Sequence, residues 1–221
     1  MEILSNSSDN NLKELMLRLL DQCYSHNQHH LGSAFSSLPI VNEIYQRMDQ
    51  NDKFILSNGH AATALYVVLE KFRNQDSSQL INDIGVHPKR SEKFGIDCST
   101  GSLGMGITVA TGMAQASPGI DVFCLISDGE CSEGSVWEAL KYVSKNNLTN
   151  LHLYFNLNGW AGYDSINVEK LSQEILIFYP KAQIRLTNNY PFEEFGLSAH
   201  YFNLSKEKYL EFRERICADY L

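Results

Sequence analysis

Two apolar runs separated by one helix-length segment constrain the fold of this chain more than any other feature. Residues 121–126 (DVFCLI) form one continuous apolar run, and residues 151–155 form the second. Strands that are buried on both faces of a parallel sheet have this composition. Residues 135–145 between them have a helical pattern, so the region is predicted to be a right-handed βαβ unit. We expect an α/β fold in which a mostly parallel sheet is flanked by helices on both faces.

Patterns elsewhere in the chain agree with this fold class. The further predicted elements are a helix that follows the cap-like residues 8–10 and extends through Cys23, a helix after Gly32, a strand at 54–56, and helices at 61–72, after 100–106 and at 168–178. Residues 74–100 are polar and irregular, and a long functional loop is expected there. With no internal repeat or linker visible, residues 1–221 are expected to form one domain.

Composition excludes some classes of function. The chain has 221 residues, of which 18 are Lys or Arg and 26 are Asp or Glu, and its formal net charge is −8. Nonspecific binding to nucleic acid or to an anionic membrane needs clustered basic residues, so neither partner is expected. One small anion can still be bound, because backbone N–H groups and a metal hold a phosphate without net positive charge.

The apolar runs and the cysteines bear on the cellular compartment. No run approaches the ~20 residues of a membrane-spanning helix, and residues 1–11 (MEILSNSSDNN) resemble no secretion signal. The cysteines are scattered and form no C-x-x-C pair; they are Cys23, Cys98, Cys124, Cys131 and Cys217. Such a set is typical of reduced thiols, and we expect a cytoplasmic protein.

Oxygen-bearing side chains follow both strands of the βαβ unit. Asp128 and Gly129 come just after the first strand, and Asn158 comes after the second. Ligands of parallel sheets collect at the carboxyl ends of the strands. Carboxylate and amide oxygens are ligands of Mg²⁺, which also takes oxygens from phosphates. Asp-Gly alone is more often a turn, but with Asn158 at this spacing it predicts a site for Mg²⁺ and a diphosphate.

Six motifs follow one another along the chain. They are HLGS at 30–33, FILSNGH at 54–60, HP at 87–88, TGSLGMG at 100–106, DGECSEGSVWEA at 128–139 and NLNGW at 156–160. In this order they resemble the N-terminal, diphosphate-binding part of transketolase, a thiamine diphosphate enzyme. The resemblance runs from about His29 to Gly162 and more loosely to the C-terminus, where residues 181–187 resemble the family's final strand. It implies a thiamine-diphosphate-binding domain of the PP type.

The resemblance assigns a cofactor or metal role to several residues. Asp128, Asn158 and the carbonyl of Trp160 match the ligands of Mg²⁺. The N–H of Gly129 matches a diphosphate contact, and Gly101 and Leu103 match contacts to the aminopyrimidine. The expected cofactors are therefore thiamine diphosphate and Mg²⁺.

Histidines within the motifs match residues of the family's substrate channel. His60 resembles the histidine near the diphosphate and the substrate, and His30 and His87 resemble histidines that bind sugar hydroxyls and help to move protons. His200 matches a further active-site histidine, though only in a loose alignment. The alternative for each is an ordinary surface or core histidine, which is how we interpret His26, His29 and His152.

Departures from the family pattern predict a partner. Ser127 replaces the first glycine of the usual GDG triplet, and the chain is shortened after about residue 164. Complete transketolases continue into a pyrimidine-binding domain whose Glu activates the cofactor, and no residue here matches that Glu. The resemblance therefore implies a C-terminal transketolase-like subunit that carries this domain and the activating Glu. A two-plus-two heterotetramer is expected, with Glu133 and Glu138 near the paired cofactor sites.

The implied activity is transfer of a two-carbon ketol unit between sugars or sugar phosphates. It would serve the pentose phosphate route or a specialised sugar biosynthesis. Alternatives are a related transferase that acts on an α-keto acid and a non-catalytic scaffold, which the presence of Asp128, Asn158, His60 and His87 disfavours. A dinucleotide site at residues 101–106 is also disfavoured, because the glycine spacing differs from G-x-G-x-x-G and no apolar strand precedes it.

Overall fold

Five parallel strands form one sheet in the computed structural model, which describes residues 2–3, 10–162 and 164–219. The strands are β1 (Glu2–Ile3), β2 (Lys53–Leu56), β3 (Val122–Ser127), β4 (Leu151–Leu157) and β5 (Gln183–Leu186). Their order across the sheet is β1-β5-β4-β3-β2, and all neighbouring pairs are parallel. The expected parallel α/β architecture is confirmed.

Helices cover both faces of this sheet. They are α1 (Asn10–Ser25), α2 (Leu31–Arg47), α3 (Ala62–Arg73), α4 (Ser77–Ile84), α5 (Met105–Ala116), α6 (Gly134–Asn146), α7 (Val168–Phe178) and α8 (Lys206–Asp219). Short 3₁₀ segments occupy Gly59–Ala61, Gly129–Ser132 and Glu193–His200. In the part of the chain that the structure describes, no helix is both long and apolar enough to span a membrane.

Alternating side chains of the central strands divide the core between the two faces. Phe123 and Leu125 of β3 join the apolar cluster formed with α1, α2 and α3, whereas Cys124 and Ile126 join the cluster formed with α5, α6 and α7. All six residues of β3 are buried. This two-sided burial explains why the strand is a continuous apolar run in the sequence.

Two helices differ from the sequence-based expectation. The expected loop at 74–100 contains α4, which the side chain of Asp76 caps by accepting hydrogen bonds from the N–H groups of Ser78 and Gln79. Residues 85–100 contain no helix and no strand, only an isolated antiparallel bridge between Ser91 and Ile96. The second helix, α8, was not predicted, because only Phe212 and Ile216 among its residues are buried.

Glycines of α5 give a direct test of how tightly this helix is packed. A Cβ at Gly106 would lie 2.5 Å from the Cα of Ser57, whereas a Cβ at Gly112 would meet no atom within 4 Å. We expect Gly106→Ala to lower the free energy of unfolding by about 1–3 kcal/mol, since backbone must move to admit the methyl group. The matched control Gly112→Ala should raise it by about 0.5–1 kcal/mol. Urea unfolding of both variants measures the difference, and equal effects would contradict the packing.

Candidate functional site

A cavity of about 280 Å³ opens at the carboxyl ends of β3 and β4. Parallel pairing of these strands aligns Ser127 with Asn156, so the residues that follow each strand emerge at one edge. Its lining includes nine of the ten residues to which the resemblance assigns a cofactor, metal or substrate role: His30, His60, His87, Gly101, Leu103, Asp128, Gly129, Asn158 and Trp160. His200 ends the 3₁₀ segment Glu193–His200, and its side chain lies outside the described part of the chain.

The carboxylate of Asp128 joins the ends of the two strands. Its Oδ2 accepts hydrogen bonds from the N–H groups of Asn158 at 2.9 Å and Gly159 at 2.7 Å, and its Oδ1 accepts one from Gly129 at 3.0 Å. The side chain is 1% exposed, and this burial raises the pKa of Asp128 to about 6 against the opposing effect of the three backbone N–H groups. The single hydrogen bond from Gly129 leaves Oδ1 with lone-pair capacity for a cation.

The side chain of Asn158 is held at both ends of its amide. Its Oδ1 accepts a hydrogen bond from the N–H of Trp160 at 2.9 Å, and its Nδ2 donates to the Oγ of Ser36 at 3.1 Å. Gly159 between them has a φ of 87°, which lets the chain turn back directly after β4. These two contacts fix the orientation of the Asn158 amide, and Asn158 lines the same cavity as Asp128.

The donor set fits a hard cation such as Mg²⁺. In the residues that the structure describes, no group of three His, Cys, Asp or Glu side chains is arranged to hold a metal. A cation at this edge would instead use the carboxylate oxygen of Asp128, the amide oxygen of Asn158, backbone carbonyl oxygen and phosphate oxygens. Mg²⁺ is bound in proteins by few carboxylates together with substrate phosphates, which matches this set.

Three histidines, His30, His60 and His87, line the cavity. The rings of His30 and His60 lie 5.3 Å apart, and His60 Nε2 is 3.1 Å from Ser33 Oγ. His87 packs directly against Gly101, where a Cβ would approach its ring to 3.0 Å. His30 itself has a φ of 60°, a strained conformation for a residue with a side chain, and such strain clusters at functional sites.

The buried carboxylate of Glu130 was missed by the sequence analysis. Its Oε1 accepts hydrogen bonds from Ser57 Oγ at 2.5 Å and from the N–H of Gly104 at 3.0 Å, and its Oε2 accepts one from the N–H of Ser127 at 2.9 Å. Burial raises the pKa of Glu130, and hydrogen bonds to the charged form oppose that rise. One side chain thus fixes the ends of β2 and β3 to the glycine-rich loop at 101–106.

Serine hydroxyl groups of α2 hydrogen-bond side chains near the carboxyl ends of β2 and β4, and these contacts were also not predicted. Besides Ser33 and Ser36, Ser37 Oγ accepts hydrogen bonds from Asn58 Nδ2 at 3.0 Å and from Asn156 Nδ2 at 3.3 Å. The Oδ1 of Asn58 is buried and has no hydrogen-bond partner among the described residues, and Asn58 lines the cavity. For Ser36 and Ser37, the only sequence signal was the polar face of an otherwise apolar helix.

The acidic residues expected near a dimer interface lie in two settings. Glu133 lines the cavity, and Glu138 is exposed on the surface of α6. Apolar Leu103 and Met105 are 38% and 54% exposed where the glycine-rich loop enters α5.

Comparison with protein families gives a match over most of the chain. The family model described as "Transketolase, thiamine diphosphate binding domain" matches residues 9–168. Transketolase-like protein 2 of Mus musculus is 45% identical in an alignment of 119 positions that covers 49% of this chain and 19% of that protein. One of the subunits of the apulose-4-phosphate transketolase of Phocaeicola vulgatus is 31% identical in an alignment of 171 positions that covers 68% of this chain and 59% of that protein. The chain therefore matches about a fifth of the length of the first relative.

Solved structures show the same fold. The transketolase of Campylobacter jejuni superposes with a TM-score of 0.69 at 20% identity, over 93% of this chain and 42% of that chain. The transketolase of Leishmania mexicana gives a TM-score of 0.62 at 16% identity, over 95% of this chain and 45% of that chain. At these identities the likeness concerns the fold alone.

Proposed function

Because its residues 9–168 match the family model, the chain belongs to the transketolase thiamine diphosphate binding domain family, and we propose that it is the N-terminal subunit of a heteromeric transketolase-like enzyme. The observation that carries this proposal is the cavity that Asp128, Asn158 and three histidines share. The reaction would move a two-carbon ketol unit from a ketose to an aldehyde acceptor. In this proposal residues 1–221 act as one cofactor-binding domain.

The metal and diphosphate half of the site would be supplied by this chain. Asp128, Asn158 and the carbonyl of Trp160 would hold Mg²⁺, and the N–H of Gly129 would contact the diphosphate. Gly101 and Leu103 would contact the aminopyrimidine. Thiamine diphosphate, when bound, supplies a nucleophilic carbon that protein side chains do not offer, so the protein's part is position and electrostatics.

The histidines would bind and orient the sugar. His30 and His87 would hydrogen-bond its hydroxyl groups and move protons there, and His60 would contact both the diphosphate and the substrate. The contact between His60 and Ser33 fixes the His60 ring in place for this role. His200 stays a proposed member of the same group.

A partner subunit would complete the site. The apulose-4-phosphate transketolase relative supports this arrangement, because its name describes one chain of a divided enzyme. The exposed side chains of Leu103 and Met105 beside the cavity would be covered by the partner. That partner would carry the pyrimidine-binding domain and the activating Glu, and two copies of each chain would pair as a heterotetramer near Glu133 and Glu138.

The thiols fit a reducing compartment. All five cysteines are free, and burial raises the pKa of Cys124 and of Cys131 well above the usual value, which keeps these thiols protonated. This supports the proposal that the enzyme acts in the cytoplasm.

Removal of either proposed metal ligand tests the cofactor assignment. We expect Asp128→Ala and Asn158→Ala each to weaken Mg²⁺-dependent binding of thiamine diphosphate by more than ~100-fold, beyond the 10- to 100-fold that loss of an outer-shell partner costs. Calorimetric titration measures this effect. The control Asp164→Ala removes an exposed carboxylate of the nearby loop and should leave binding unchanged. Unchanged affinity in both ligand variants would contradict the assignment.

Histidine variants separate substrate binding from cofactor binding. His87→Ala should lower kcat/KM for the donor sugar by about 10²-fold or more, the scale of a lost proton-transfer group, with little effect on thiamine diphosphate affinity. His60→Ala should lower both. Steady-state kinetics and calorimetry on the assembled enzyme measure the two quantities, and exposed His29 provides the control variant His29→Ala. Full kcat/KM in His87→Ala would show that this residue does not bind the substrate.

Assay of the chain with and without its partner tests the whole proposal. We expect the chain alone to bind the cofactor through the diphosphate end but to show no ketol transfer, because none of its residues matches the activating Glu. Coexpression with the partner should restore turnover and give a mass of two copies of each chain. Full turnover by the isolated chain would refute the divided site.

A further inference from the structure

Ser36 of α2 accepts a hydrogen bond from the proposed metal ligand Asn158, but it is not among the residues that line the cavity itself. We propose that Ser36 is a positioning residue that sets which end of the Asn158 amide faces the metal. The inference rests on the proposed function, because it assumes that Asn158 is a ligand of Mg²⁺.

The hydroxyl group of Ser36 accepts hydrogen bonds from two side-chain amides, one in β4 and one in the turn that follows β4. Its Oγ accepts hydrogen bonds from Asn156 Nδ2 at 3.0 Å and from Asn158 Nδ2 at 3.1 Å. Its own proton is donated to the carbonyl oxygen of Ser33 at 3.3 Å. With the proton directed there, both lone pairs of Oγ are left for the two amide groups.

This arrangement selects one of two orientations of the Asn158 amide. An amide can rotate by half a turn and exchange its oxygen for its NH₂ group, but Mg²⁺ binds oxygen and not NH₂. Ser36 can accept only from Nδ2, and the N–H of Trp160 can bind only Oδ1. The two contacts therefore favour the same orientation, in which Oδ1 is at the metal end.

Burial makes the contact to Ser36 hard to replace. Ser36 is 1% exposed and Asn156 is fully buried, so solvent water does not compete for the Ser36 hydroxyl group, although the Asn158 side chain itself is only half-buried. Without the hydroxyl, Nδ2 of Asn158 would lose its acceptor, and the amide would be held by Trp160 alone. Loss of this hydrogen bond is expected to lower the affinity for Mg²⁺, because outer-shell partners fix the orientation of metal ligands.

Ser37 provides a matched control on the same helix. It is the next residue, is fully buried, and accepts hydrogen bonds from Asn58 and Asn156 rather than from Asn158. Alanine at either position removes one hydroxyl group that serves two amides. Both variants are expected to fold, since alanine is smaller and favours a helix.

The experiment titrates the full chain with Mg²⁺ in the presence of thiamine diphosphate and follows the heat of binding. Wild type, Ser36→Ala and Ser37→Ala are compared, and the melting temperature of each is measured without metal. We expect Ser36→Ala to raise the Kd for Mg²⁺ by about 10-fold. Ser37→Ala should change it by less than about 2-fold, while the two melting temperatures fall by a similar amount.

The outcomes separate this inference from the function on which it rests. If wild type binds Mg²⁺ and Ser36→Ala binds it equally well, or if both serine variants lose affinity equally, Ser36 does not position the ligand. If wild type shows no Mg²⁺-dependent binding, the cofactor assignment itself fails and the role of Ser36 falls with it. Loss of affinity confined to Ser36→Ala supports the inference.

Discussion

The parallel pairing of β3 with β4 is the constraint on which the rest of the site depends. It brings two chain segments that follow different strands to one edge of the sheet, and the carboxylate of Asp128 then binds the backbone of Asn158 and Gly159 across the gap. The Asp128 side chain thus extends the hydrogen bonding between β3 and β4 beyond Ser127 and Asn156, the last paired residues.

Residue patterns predicted β2, β3 and β4, because burial on two faces leaves a plain signal. The strand β5 was expected only from the family resemblance, and β1 was not predicted. β3 and β4 are apolar throughout most of their buried parts, and the helix between them has apolar residues at helical spacing. The signal was weaker for α4, which has eight residues, and for α8, in which only Phe212 and Ile216 are buried. Contacts in the folded chain are needed to explain α8, whereas α4 does carry a local signal in its cap Asp76 and in the apolar residues Leu80, Ile81 and Ile84.

Motifs located the cavity, but they did not show what holds it together. Asp128, Gly129 and Asn158 follow strands directly, so their common edge follows from topology. Ser36 and Glu130 act through groups far away in the sequence, at the end of β4 and in the glycine-rich loop. A serine in a helix or an acid after Asp-Gly has many ordinary explanations, and the sequence carries no mark of the distant partner.

The shared carboxylate of Glu130 has a consequence for how the molecule fluctuates. Amide protons of Gly104 and Ser127, which belong to different segments, are bonded to opposite oxygens of one buried side chain. Neither segment can open without removing a hydrogen bond from that buried carboxylate, which is costly. In native-state hydrogen exchange we therefore expect the glycine-rich loop and the end of β3 to open together, so that a ligand that slows exchange in one should slow it in the other.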